Sequence, residues 1–175
     1  MSTAFDINKW DVQPLRDGDI QNLCDMGQDP PETTDYFKKC LAAQKGGARH
    51  IIIIRPAGIK EIVAYGMLNE SPRYALYEKL DIPEIQDLFV RPQYRGQGIG
   101  RSMMAYLESI AVKQGYEQCG ISVPVSPRHG IAQQLYYDCG YRPDGQGITY
   151  NRKTVPYGKQ ATVDDDLCLM LIKNL

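Results

Sequence analysis

The chain has 175 residues, with 20 basic and 21 acidic side chains, so it can bury one sizeable core and carries no whole-molecule field that would draw nucleic acid. Its longest apolar runs, Ile51–Ile54 and Leu167–Ile172, are far short of the roughly 20 residues that cross a membrane. Five scattered cysteines (Cys24, Cys40, Cys119, Cys139 and Cys168), no C-x-x-C, and two distant histidines, His50 and His129, argue against a disulfide framework or a metal site. Reduced thiols in a cytoplasm are expected, and MSTAFDINKWD lacks the apolar core of a secretion signal.

In chain order, Trp10–Leu15 reads as a first strand. Asp17 is placed to cap a helix containing Ile20 and Leu23. QDPPETT, from Gln28, forms a turn, and Thr33 or Thr34 caps a second helix carrying Tyr36, Phe37, Cys40 and Leu41, ended by Gly46 and Gly47. The continuous β-branched run in His50–Arg55 predicts a buried strand, and PAGIKE turns it into IVAYGML as a hairpin. The stretch 70–83 is left between a short helix and a loop over the site. Ile85–Val90 is a strand. Ile99, Met103, Leu107, Ile110 and Ala111 have helical spacing, closed by Gly115. Cys119–Val125 is a strand marked at its end by Pro124 and Pro127, and Gly130–Gly140 a helix. Gly147–Arg152 and Leu167–Lys173 read as closing strands. Between them, Asp164–Asp166 reads as a solvated loop, although three carboxylates could attract a metal. No repeat, low-complexity segment or linker divides residues 1–175, so a single domain is expected.

The most informative stretch is VRPQYRGQGIG, Val90–Gly100. A strand leads into alternate glycines, Gly96, Gly98 and Gly100, and then into a helix. The first N–H groups of a helix lack internal partners and point at whatever sits before them, so such a turn suits an anion. Glycines let a diphosphate approach the backbone. The dinucleotide pattern GxGxxG fails, because Arg101 or Met103 stands where its last glycine should be, and no Lys-Ser or Lys-Thr completes a nucleoside-triphosphate loop. The pattern R-x-x-G-x-G fits Arg95, Gly98 and Gly100. Further on, Ala132, Leu135, Tyr136, Gly140 and Tyr141 fit A-x-x-L-Y-x-x-x-G-[FY].

With these two patterns about thirty residues apart and in this order, the chain resembles the GNAT superfamily of acetyl-coenzyme A-dependent N-acetyltransferases. The resemblance is specific between Ile85 and Tyr141. It implies an α/β fold: a mixed, mainly antiparallel twisted sheet with splayed central strands and helices on both faces. It further implies acetyl-CoA as acyl donor, with Leu88, Phe89 and Val90 offering backbone groups to the pantetheine arm. Arg95, Gly96, Gln97, Gly98, Ile99, Gly100 and Arg101 would hold the pyrophosphate, and no metal is implied. Tyr136 stands at the general acid's position and would give the leaving thiolate its proton. On the helix, Leu135 is expected to face the core and Tyr136 the cleft.

The base is less defined. Glu84 and Asp87 alternate to opposite faces of an ideal strand; Glu84, sharing its face with Gln86 and Leu88, is the candidate, acting through water. Asp87 reads as a structural hydrogen-bonder, and a water chain with no dedicated base is an alternative. His129 stands where relatives often carry asparagine and reads as a helix-capping surface residue. Cys119 and Cys139 have no His partner nearby in sequence, so direct attack by a primary amine is expected over a covalent intermediate. Residues 1–35 carry eight acids against two bases, which permits a cationic acceptor. Other readings are a non-catalytic acyl-CoA or nucleotide sensor of the same fold, and an interaction protein, including a homodimer through the C-terminal strands.

Overall fold

The computed structural model describes residues 9–28 and 32–175; part of the QDPPETT turn lies outside them. The chain divides into two compact units, residues 1–69 with 86–109, and residues 70–85 with 110–175.

The first unit contains β1 (Trp10–Pro14), α1 (Ile20–Cys24), α2 (Thr34–Lys45), β2 (Arg49–Pro56), β3 (Ala64–Asn69), most of β4 (Glu84–Val90) and the start of α4 (Ile99–Gln114). Its strands lie in the order β1-β2-β3-β4. β1 pairs antiparallel with β2, Trp10 opposite Pro56, and β2 with β3, Arg49 opposite Asn69. The four isoleucines of β2 are all buried, as are all six residues of β3, which is why neither strand alternates apolar with polar. Leu23, Phe37, Leu41, Ile51, Ile53 and Met67 are among the residues of their core. Gly66 marks a close approach: a Cβ there would lie 3.0 Å from Met103 Cγ and 3.2 Å from Leu107 Cδ1, so the apolar stripe of α4 packs on bare β3 backbone.

Thr33 caps α2 as its type predicts, its Oγ1 accepting from Tyr36 N at 3.1 Å. Asp17 does not cap α1. It lies inside a 3₁₀ turn, Asp17–Asp19, whose entry is closed by Arg16 N donating to Asp19 Oδ2 at 3.1 Å. Its carboxylate pairs with Lys45 at 3.0 Å, and that of Asp19 pairs with Arg55. Two of the N-terminal acids are thereby neutralised, which weakens the charge asymmetry that permitted a cationic partner.

The second unit holds α3 (Ala75–Leu80), the first two residues of β4, the end of α4, β5 (Gln118–Pro124), α5 (Gly130–Asp138), β6 (Arg142–Tyr150), β7 (Lys153–Thr154) and β8 (Leu167–Asn174). Strand order is β4-β5-β8-β6-β7. β4 meets β5 in parallel through two pairs, Glu84↔Gly120 and Ile85↔Ile121, and the other described ladders are antiparallel. The sheet is therefore mixed and mainly antiparallel, as expected. Residues 70–83 resolve into α3, whose Tyr77 is fully buried and donates to Leu171 O at 2.7 Å. Gly120 makes room for that ring; a Cβ would fall 2.6 Å from Tyr77 Cζ.

The closing strands differ from the sequence reading. β6 begins earlier, at Arg142, with an irregularity between Pro143 and Ile148, and it stops at Tyr150. Asn151 and Arg152, expected within the strand, instead form a two-residue hairpin turn with φ of +47° and +65°. Such mirror-image turns match the twist of the flanking strands and require both central residues at positive φ.

Candidate functional site

In the first unit, β4 carries the expected strand but not the expected alternation. Asp87 has φ +52°, a left-handed conformation that interrupts the pleat as a bulge does. The inference that Glu84, Gln86 and Leu88 share one face therefore stops at this residue. Asp87 is exposed and accepts a hydrogen bond from Tyr36 Oη, so the hydrogen-bonding role read for it is present. Burial and the Asp87 charge push the Tyr36 hydroxyl far above its ordinary range. Burial, followed by Asp87, also raises the half-buried Glu32. Sequence reasoning missed the Tyr36–Asp87 pair, because 51 positions separate its members.

Leu88, Phe89 and Val90 are half-buried. Phe89 stacks on Tyr65 with centroids 6.1 Å apart. The Arg95 guanidinium lies 5.8 Å over the other partner of that stack, the Phe89 ring, and its Nε donates to Val90 O at 3.0 Å. The Val90 carbonyl is thus engaged by Arg95. Arg91 is a strut: its N donates to Val63 O at 2.9 Å and its Nε to Ile62 O at 2.8 Å. After a 3₁₀ turn at Pro92–Tyr94, Gly96 and Gly98 take φ of +76° and +81°, which a side chain would oppose. Ile99, 1% exposed, anchors α4 in the core. Gln97 and Arg101 are exposed, Gly98 and Gly100 half-buried. The first turn of α4 carries no acidic side chain. The positive end of a 16-residue helix, two glycines at positive φ and two arginines make this terminus electropositive.

In the second unit, α5 carries Tyr136, and the order of burial along it differs from the expected one. Tyr136 is buried, at 7% exposure, while Leu135 is only half-buried. Tyr137 is half-buried, with the Arg142 guanidinium 5.9 Å over its ring. Gly140 and Tyr141 of the second motif shape the chain where the helix ends. Gly140, at φ +95°, terminates the helix, Tyr141 N donates to Tyr136 O at 3.0 Å, and the Tyr141 ring is fully buried. His129 occupies the position before α5 but makes no side-chain cap. Its Nδ1 meets Ser126 Oγ at 3.1 Å, and its Nε2 lies 3.8 Å from Asp165 Oδ1. Ser126, Arg128, Val163 and Asp164–Asp166 line a cavity of about 480 Å³. Asp164 is engaged, accepting from Tyr150 Oη at the end of β6 at 2.9 Å and from Asp166 N in its own loop at 3.0 Å.

Glu84 has no exposed surface and forms an ion pair with Arg152 Nη1. Sequence reasoning missed Arg152. Its partner is 68 positions away, and no local pattern announces the pair. Burial first, then the Glu84 charge, raises the Tyr77 hydroxyl well beyond its ordinary range. Burial pushes the Cys168 thiol up to about 11, which leaves it protonated and a poor nucleophile at neutral pH. Cys119 is fully buried, its Sγ directed at Pro83 O at 3.6 Å.

A model of the acetyltransferase (GNAT) family matches residues 18–141. An aminoalkylphosphonate N-acetyltransferase of Salmonella typhimurium is 30% identical over 135 residues, which cover 77% of this chain and 70% of that protein. Among solved structures, the ribosomal-protein-S18-alanine N-acetyltransferase of Escherichia coli shares the fold with a TM-score of 0.67 at 17% identity, over 94% of this chain and 93% of the other. The Salmonella typhimurium protein yncA, solved with its cofactor acetyl-CoA, gives a TM-score of 0.67 at 14% identity, over 95% and 94%. By sequence and by fold, the chain is an acyltransferase enzyme and belongs to the acetyltransferase (GNAT) family.

Proposed function

We propose that the enzyme transfers an acetyl group from acetyl-CoA to a primary amine by direct attack of the amine on the thioester. The observation that carries this reading is the start of α4. Its left-handed Gly96 and Gly98, its acid-free first turn and its arginines favour a diphosphate. Backbone groups of Leu88, Phe89 and Val90 hold the pantetheine arm, and one of their N–H groups steadies the oxyanion of the tetrahedral intermediate. Tyr136 donates a proton to the departing thiolate. Glu84 takes the proton released by the amine. Because Glu84 has no exposed surface, that proton arrives through a bridging water. Asp87 is the second candidate for this task, favoured by its exposure and its hydrogen bond from Tyr36.

The named relative acts on an aminoalkylphosphonate, which supports a small aminoalkyl acceptor. The test is release of free coenzyme A thiol from acetyl-CoA, with and without a panel of aminoalkylphosphonates, polyamines, amino acids and peptides. Amine-dependent thiol release is expected. Coenzyme A binding without turnover on any amine would favour the sensor reading instead. Glu84→Gln and Asp87→Asn, measured on the best acceptor, separate the two candidate bases.

A further inference from the structure

Arg152 stands where the backbone favours another residue. It is the second residue of the two-residue turn between β6 and β7, at φ +65°. That conformation is the natural place for glycine, and a long side chain gains nothing from it. The turn is firmly held: Asn151 N donates to Asp166 O at 3.0 Å, and Val155 N to Ile148 O at 2.9 Å. Arg152 therefore reaches its partner from a fixed base. That partner is Glu84, with a side-chain exposure of 0% against 21% for Arg152. Taking a carboxylate out of water is unfavourable, and a buried ion pair seldom makes a fold more stable than apolar residues of the same size would. Two unfavourable features, a strained backbone and a desolvated pair, thus serve one charge at the start of β4. The nearby Tyr77 hydroxyl donates to Leu171 O at 2.7 Å.

We infer that Arg152 is a positioning residue for acetyl transfer: from the β6–β7 turn it fixes the Glu84 carboxylate, so the rate depends on a hairpin near the C-terminus. This rests on the reading of Glu84 as the proton acceptor. A guanidinium fork suits the task better than an ammonium, because its planar donors fix the carboxylate's orientation as well as its charge.

The test uses the full chain, with Glu84→Gln, Arg152→Gly, Arg152→Lys and the double variant Glu84→Gln/Arg152→Gly. The kcat and KM for acetyl-CoA are measured on one acceptor, with coenzyme A calorimetry as control. Glycine suits the φ of the turn, so Arg152→Gly removes the guanidinium without adding backbone strain. It should lower kcat roughly 10–100-fold, the worth of a charged hydrogen bond, with KM for acetyl-CoA and coenzyme A affinity within about twofold of wild type. Arg152→Lys should recover part of the rate. In the Glu84→Gln background the Arg152→Gly change should add no further loss, because the carboxylate it served is gone.

Wild-type kcat in Arg152→Gly, or an equal loss with and without Glu84, overturns the proposal. Should Arg152→Gly fail to fold, the double variant and Arg152→Lys decide. A double variant slower than Glu84→Gln, or a lysine variant at wild-type kcat, overturns it. Wild-type kcat in Glu84→Gln overturns the base assignment and this inference together. Loss in Glu84→Gln with intact rates in both Arg152 variants leaves the base and removes only the positioning.

Discussion

At the start of α4, the residues that shape the turn are close neighbours in the chain: Arg95 reaches back five positions to Val90 O, and Gly96 and Gly98 set the left-handed backbone between them and the helix. Around Glu84 the contacts come from afar. Arg152 lies 68 positions away, and Tyr77 is held by carbonyls 44 and 94 positions from it. The first region is open, with Gln97 and Arg101 exposed; the second is sealed, with Glu84 and Tyr77 at 0% exposure. A local turn tolerates exposure, because its shape is set by backbone torsions. A desolvated carboxylate is tolerated only once distant strands have brought it a cation.

The largest expected effect lies at the open region. Gly98→Glu places a side chain at φ +81° and a negative charge where the diphosphate would bind. Calorimetry should show coenzyme A binding lost while the circular dichroism of the fold is kept. Unchanged affinity in a folded variant would end the contrast by removing the anion site. Next in size is Tyr136→Phe, which should reduce kcat roughly 10²–10⁴-fold, as for loss of a general acid, without weakening coenzyme A binding. Tyr137→Phe on the same acceptor should change it little. A crippled Tyr137→Phe would shift the motif register by one residue, and two active variants would make Tyr136 structural.

The sealed region is sharpened by Gly120→Ala. The added methyl would meet the Tyr77 ring at 2.6 Å from Cζ, and overpacking of this kind costs about 1–3 kcal/mol. A midpoint unchanged in urea would mean that Tyr77 yields easily and that the packing around Glu84 is softer than its burial implies. The smallest effect is expected at a purely local feature of the first unit. Thr33→Ala removes the acceptor for Tyr36 N and should cost about 1 kcal/mol by urea unfolding, with kcat unchanged. A loss of kcat there would instead link the α2 cap to the Tyr36–Asp87 hydrogen bond.

Where a feature depends on neighbours in the chain, the sequence carried it. The helix over Ile99–Gln114, the cap at Thr33 and the hairpin of β2 with β3 follow from apolar period, capping type and turn residues. Errors arose where a local rule met a non-local demand. Asp17 has the residue type of a cap, but Lys45 claims its carboxylate. Gly147–Arg152 has the pattern of a strand, but its end turns back to pair with β7 and to deliver Arg152 to Glu84. On α5, Tyr136 is more deeply buried than Leu135, because a helix's period fixes the angle between two side chains but not how deeply each lies.

The sequence by itself determined the mixed fold, the family and the electropositive turn at α4. Each rests on torsional preferences and spacings that operate over a few residues, and these act in the same way wherever the segment is placed. Tertiary structure alone decided that Glu84 is sealed and paired, that Asp87 bulges out to hold Tyr36, and that the C-terminal hairpin supplies a guanidinium to β4. Those outcomes are set by which distant groups share a low-dielectric space, where an uncompensated charge is too unfavourable to persist. Partners of that kind are fixed only when the whole chain has folded.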